Sequence, residues 1–173
     1  MPTMIPTKAV ADFTVPMTDG GQFQLSQRAG DNFTLLLFYR GLHCPICKGQ
    51  LRDLQRKLGD FAERGVTAVA ISMDDQDRAQ KSAEDWGIDE LMLGYGLSEE
   101  IAGQLGLYIS AGRPDSPEPE IFSEPALFLV RPDQTLYFAS IQSMPFTRPP
   151  LDQLMMGIDY ALANDYPARG ELS

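Results

Sequence analysis

The sequence predicts an α/β protein with a mixed central sheet flanked by helices, on three observations. Two nearly continuous apolar runs, Phe33 to Tyr39 and Val66 to Ser72, read as strands buried on both faces. Between them Cys44, Cys47, Leu51, Leu54, Leu58 and Phe61 recur three and four apart, which is one face of a helix. Further on, Ala126 to Val130 and Leu136 to Ile141 flank the tight-turn sequence Arg131-Pro132-Asp133-Gln134-Thr135. A strand–helix–strand crossover followed by such a hairpin needs both parallel and antiparallel neighbours in one sheet.

The remaining elements follow in chain order. Residues 12–16 and 22–25 alternate apolar and polar around Asp19-Gly20-Gly21, the pattern of a β-hairpin at the N-terminal end. The cysteine-bearing helix should begin at Cys44 and run to Gly65 as its C-cap. A polar helix is expected from Met73-Asp74-Asp75 to about Trp86, then a short strand from Leu91 to Leu93. Ser98 is placed to cap a brief helix opening with Glu99-Glu100. Residues 112–120 hold too much proline and acid for regular structure and read as an exposed loop. After Pro149-Pro150, the residues Leu151, Leu154, Met155, Ile158 and Leu162 form the buried face of a last helix.

A chain of 173 residues fits a single domain, 1–173, because one core ordinarily serves about 100–200 residues. The start, MPTMIPTKAVADF, has neither a basic leader nor a long apolar stretch, so no secretory signal is expected and the expected location is cytoplasmic. No membrane span is expected, for want of an apolar run of about 18 residues. A net charge of -10 argues against nucleic acid or an anionic membrane as partner. The positive charge is concentrated, however: Arg40, Lys48, Arg52, Arg56, Lys57 and Arg64 lie in the segment that holds both cysteines. They read either as a solvated helix face with i,i+4 pairs or as part of the thiol environment.

Cys44-Pro45-Ile46-Cys47 is the chemical centre of the sequence. Residues three apart at a helix start are about 5–6 Å apart, within disulfide range. Pro45 suits the first helical position, where a missing N–H costs nothing. Cys44 then occupies the N-cap, facing free backbone N–H groups and the positive end of the helix dipole, both of which favour a thiolate. A free cysteine of pKa about 8.5 is only a few per cent thiolate at neutral pH, so this shift decides reactivity. Arg40 and His43 would add to it if directed inward. Cys44 at the exposed tip is expected to attack, and Cys47, one turn deeper on the apolar stripe, to resolve. Zinc ordinarily takes four ligands, and the chain offers one histidine and no third cysteine, so no metal is expected. Ordinary core cysteines, and a fold kept only for binding or scaffolding without turnover, remain the alternatives.

The segment Phe38-Tyr39-Arg40-Gly41-Leu42-His43-Cys44-Pro45-Ile46-Cys47, with Gln50-Leu51, resembles the thioredoxin-fold suprafamily. More narrowly it resembles the peroxiredoxin-like branch of the alkyl hydroperoxide reductase / thiol-specific antioxidant (AhpC/TSA) family. Glu124-Pro125-Ala126-Leu127-Phe128-Leu129-Val130, Pro132-Asp133, Met144 to Pro149 and the opening Asp12-Phe13-Thr14-Val15 carry the likeness over about residues 10–165. It implies a thioredoxin-like fold with the N-terminal hairpin as an extension, and a thiol-dependent oxidoreductase with an antioxidant role. Dithiol/disulfide exchange and thiol-dependent peroxide reduction are both open. The implied partners are a thioredoxin- or glutathione-like thiol reductant and a disulfide or peroxide substrate, with no cofactor; a homodimer is compatible. The likeness also implies a cis-proline at Pro125 facing the thiols, with Glu124 beside them. Typical members place a threonine three residues before the peroxidatic cysteine, a proline earlier and an arginine on a later strand. Aligned on Phe38-Tyr39, Cys47 takes the peroxidatic position, Cys44 replaces the threonine and Arg40 replaces the proline. Pro125 stands about where the peroxide-binding arginine is expected, and Arg148 matches a further arginine of the family. The register therefore leaves open which cysteine attacks a peroxide.

Overall fold

A computed structural model describes residues 4–173. Two strands, β1 (Thr14–Pro16) and β2 (Gln22–Gln24), pair antiparallel as the N-terminal hairpin, with Val15 opposite Phe23. Its turn is held by Asp19 Oδ1, which accepts the Gly21 N–H at 2.8 Å. Next come β3 (Phe33–Phe38), α1 (Pro45–Arg56), α2 (Leu58–Glu63) and β4 (Val66–Ile71). They lead to α3 (Gln76–Trp86), β5 (Met92–Gly94) and α4 (Glu99–Gln104). A second small hairpin, β6 (Ile109–Ala111) with β7 (Ile121–Ser123), precedes β8 (Ala126–Val130), β9 (Leu136–Ile141) and α5 (Leu151–Asn164).

The central sheet has five strands in the order β5-β4-β3-β8-β9. β3, β4 and β5 are parallel, while β8 is antiparallel to both β3 and β9. This is the mixed sheet expected from a crossover followed by a hairpin. Because successive strand residues point to opposite faces, β3 divides its apolar run between two cores. Phe33, Leu35 and Leu37 pack with α1, Phe61 of α2, Trp86 of α3 and Met155 and Ile158 of α5. Leu36 and Phe38 pack on the other side with the N-terminal hairpin and with Ala102 of α4. Both faces are thus covered, which is why the strand reads as continuously apolar.

Two expectations are corrected. The helix expected to continue to Gly65 is broken at Lys57, whose backbone adopts φ -99°, ψ 4°. There the N–H is shared between the carbonyls of Asp53 and Leu54, and the side chain binds Asp53 Oδ1. A shared N–H of this kind is a helix-end feature, and the chain restarts as α2 so that Phe61 still reaches the core. The second correction is β6–β7, which the sequence pattern does not show. Its strands are three residues each, too short to display an alternation, and the expected acidic loop is the connection between them. Among the described residues, no helix is long and apolar enough to cross a membrane.

The carboxyl ends of the parallel strands β3 and β4 and the start of α1 meet at one edge of the molecule. In open α/β sheets this is where ligands bind.

Candidate active site

The strand-to-helix turn builds the centre. β3 ends at Phe38, and Tyr39 to His43 carry the chain into α1 through Gly41 at φ +131°. A side chain at Gly41 would be strained by that conformation, and its Cβ would lie 2.7 Å from both Asp74 carboxylate oxygens. Asp74 needs this space. Its side chain is fully buried, accepts the Leu42 N–H at 2.8 Å and binds Arg78 Nε at 3.0 Å. One carboxylate at the end of β4 therefore clamps the turn that presents the thiols.

Cys44 is the N-cap of α1, with extended backbone (φ -108°, ψ 101°), and Pro45 is the first helical residue. Cys44 Sγ accepts the Cys47 N–H at 3.3 Å, and the two cysteines come within 2.7 Å of each other. Both are free thiols. Contrary to expectation, Cys44 is not at an exposed tip: it is 1% exposed and Cys47 0%. The roof formed by later segments, invisible to a local reading, closes over the helix start.

That roof supplies a guanidinium. Arg148 Nη2 lies 3.2 Å from Cys47 Sγ and 3.7 Å from Cys44 Sγ. Its Nη1 donates to Gln50 Oε1 at 2.5 Å and its Nε to the Pro145 carbonyl at 2.9 Å, so both edges of the fork are fixed. Arg40 contributes differently. Its backbone N–H points to Cys47 Sγ at 3.5 Å, while its guanidinium stacks on the Phe122 ring at 4.8 Å and pairs with Glu124 at 3.0 Å.

These surroundings separate the two thiols. Cys44 is lowered to about 5, first by the hydrogen bond from the Cys47 thiol; burial opposes this, and the Cys47 N–H, Arg148 and Arg40 add to it. Cys47 is raised well above the ordinary thiol range, chiefly by burial and then by its hydrogen bond and repulsion from the Cys44 charge. One sulfur is an anion and its neighbour keeps the proton.

His43 does not stand by the sulfurs. Its Nδ1 lies 3.5 Å from Arg78 Nη2 and its ring packs edge-on against Phe122 at 4.7 Å. Burial, then the Arg40 charge, lowers its pKa, so the ring is neutral near pH 7 and adds no positive charge to the thiols. Pro125 is buried directly before β8, and its carbonyl accepts the Gln142 N–H at 3.0 Å. No peptide bond among the described residues is cis, so the expected cis-proline is corrected to trans. Trans is also the form an X-Pro bond prefers, by about 0.5–1 kcal/mol. Glu124, 4% exposed, accepts from Ser110 Oγ at 2.8 Å and meets Arg40.

Sequence reasoning missed Asp74, Gln50, Glu118 and Phe122 as neighbours of the turn. Asp74 carried a usable signal, an acidic residue at the carboxyl end of a buried strand. Glu118, whose carboxylate lies 3.7 Å from Arg40 Nη2, sits in a stretch that reads as plain loop, and nothing local marks it.

Solved structures with the same architecture include the peroxidoxin BcpB of Mycobacterium tuberculosis, with TM-score 0.72 and 21% identity over 91% of this chain and 97% of that one. Another is the reduced 2-Cys peroxiredoxin of Plasmodium vivax, with TM-score 0.76 and 19% identity over 94% of this chain and 84% of that one. At such identities the likeness shows a thioredoxin-type fold and no more. Among curated proteins, alkyl hydroperoxide reductase C of Helicobacter pylori (strain ATCC 700392 / 26695) is 27% identical over 78 residues. That match covers 42% of this chain and 39% of the relative. The sequence pattern of the AhpC/TSA family matches residues 6–139, a span that includes the hairpin, the cysteine turn, the Asp74 clamp and most of the sheet, and the chain belongs to that family.

Proposed function

We propose that this protein is a thiol-dependent oxidoreductase with an antioxidant role, reducing small peroxides through a Cys44–Cys47 redox cycle. The observation that carries the reading is the Arg148 guanidinium within reach of both sulfurs, beside an N-cap cysteine lowered to about 5. A fixed cation and aimed N–H groups stabilise the thiolate and the charge that moves onto the leaving oxygen. Cys44 thiolate attacks one peroxide oxygen, the O–O bond breaks, and the other oxygen leaves as alcohol or water after taking a proton. Cys44 becomes a sulfenic acid; the Cys47 thiol then attacks its sulfur, forming the disulfide and releasing water. Family register alone would assign the attack to Cys47. The environment favours Cys44, since a thiol raised by burial is a poor nucleophile at neutral pH.

Burial of both sulfurs favours peroxide over a protein disulfide as oxidant, because a two-atom oxidant needs the smaller opening. Dithiol/disulfide exchange by the same residues is the second reading, supported by the cysteine spacing. A thioredoxin- or glutathione-like reductant, a cytoplasmic setting and a homodimer belong to the same proposal.

The test is stopped-flow mixing of the reduced protein with hydrogen peroxide and, separately, with the linear disulfide hydroxyethyl disulfide, followed by mass spectrometry. Fast oxidation by peroxide with loss of two hydrogens is expected. Reaction with the disulfide alone favours exchange, and inertness to both leaves only a binding or scaffold role.

A further inference from the structure

Arg148 stands on a weakly tethered stretch of chain. None of residues 143–149 is buried, and none lies in a strand or helix. Among the described hydrogen bonds, this stretch reaches the rest of the molecule only through the Arg148 guanidinium, at Cys47 Sγ, Cys44 Sγ and Gln50 Oε1. The two sulfurs lose their attraction for the arginine when the thiolate is consumed, whereas Gln50 is unchanged by the chemistry. It sits on α1 three residues past Cys47, on the next turn. The helix that carries the thiols therefore also carries the group that fixes the arginine over them.

The kind of acceptor matters as much as its place. Other arginines around the turn are tied to carboxylates: Arg40 to Glu124, Arg78 to Asp74 and Arg113 to Glu118, each at 3.0 Å. None of the ion pairs among the described residues includes Arg148. Besides sulfur, its acceptors are the Pro145 carbonyl and the Gln50 side-chain amide, both uncharged. A carboxylate at position 50 could accept the same hydrogen bond, and more strongly. It would also cancel the charge that the guanidinium presents to the sulfurs, and a cation within hydrogen-bond reach favours a thiolate only while that charge is uncommitted.

We propose that Gln50 is a positioning residue for the thiol chemistry: its neutral amide seats the Arg148 guanidinium over Cys44 and Cys47 and leaves the positive charge to the sulfurs. The proposal rests on the thiol-redox reading above and adds a residue that acts through Arg148 without touching a reacting atom. The charged and titratable groups that bear on Cys44 are Cys47 from α1, Arg148 from the roof and Arg40 from the turn. A carboxylate introduced at position 50 is then the one new charge in the set.

The test follows the thiolate of the reduced full-length protein by its ultraviolet absorbance across pH, with no oxidant present, and then its oxidation by hydrogen peroxide. Gln50→Glu keeps the volume and the acceptor. Its thiolate midpoint is expected to rise by about one pH unit, and its oxidation to slow about tenfold, less than the loss of the whole guanidinium. A purely structural role for Gln50 would leave the midpoint in place. Gln50→Leu removes the seat, so its midpoint should rise too. Combined with Arg148→Met it should add nothing to the shift of Arg148→Met alone, because both changes remove one effect. That cycle decides the matter if Gln50→Glu does not fold. An unmoved or lowered midpoint in Gln50→Glu, or full addition of the Gln50→Leu and Arg148→Met shifts, overturns the proposal. Absence of any wild-type transition near pH 5 overturns the thiol-redox reading with it; a wild-type transition there with an unmoved Gln50→Glu overturns this proposal only.

Discussion

Two regions meet at the thiols and hold them by different means. The strand–turn–helix from β3 through α1 grips them with its own backbone: the N–H groups of Cys47 and Arg40 both point at sulfur, from positions three and seven residues away in sequence. The roof, made by the β6–β7 hairpin and the Pro145–Arg148 segment, acts through side-chain charge. Its Arg148 reaches the sulfurs across 104 and 101 positions of sequence. The first arrangement is part of the fold, so it places the sulfurs and cannot vary without unfolding the turn. The second is a set of long side chains laid over a finished scaffold, so it sets acidity and access and is free to change.

Substitutions sort along that division, beginning with the largest effect. Cys44→Ser is expected to bring peroxide consumption to background, while Cys47→Ser leaves a first oxidation that stops at a sulfenic acid or a trapped mixed disulfide. Intact-mass measurement after one equivalent of oxidant distinguishes them. If Cys44→Ser retains the rate, the roles are reversed, as the family register allows. Arg148→Met should slow oxidation about 100-fold, the scale of losing one fixed donor at a developing charge.

Acidity sharpens the same comparison. Because the folded thiol of Cys44 is lowered to about 5, thiolate absorbance at 240 nm should rise as pH increases through about 5 and be complete by neutrality. The oxidation rate should follow it, since the anion is the nucleophile. In Arg148→Met that midpoint should move upward, with the secondary structure unchanged by circular dichroism. An unmoved midpoint would mean that the roof contributes nothing and that the helix start alone holds the charge.

Asp74→Asn tests the other region. It leaves Arg78 without its carboxylate and weakens the acceptor for the Leu42 N–H, at an expected loss of about 2–3 kcal/mol in a denaturant melt. The smallest effect is expected from Glu118→Gln, about 1 kcal/mol in stability, because its partner Arg113 is largely in solvent and its other partner, Arg40, keeps the shorter pair with Glu124.

Much of this was legible in the chain itself. Continuous apolar runs, a tight-turn sequence and three-to-four spacing reflect local burial and local turn chemistry, and they locate β3, β4, β8, β9, α1 and α5 without reference to anything distant. The N-cap place of Cys44 followed from Pro45 for the same reason: helix-start geometry is decided within a turn of residues. Where the governing contacts are remote, the sequence was silent or misleading. The Cys44 read as exposed from its position is 1% exposed, and Arg148, 104 positions away in sequence, lies 3.7 Å from its sulfur. Arg148 could be noted as a family-like residue but not seated on two sulfurs, and β6–β7 was too short for any pattern. Local periodicity records which side of an element is dry. Which distant charge comes to rest beside a given atom depends on how the elements pack, and only the folded chain contains that information.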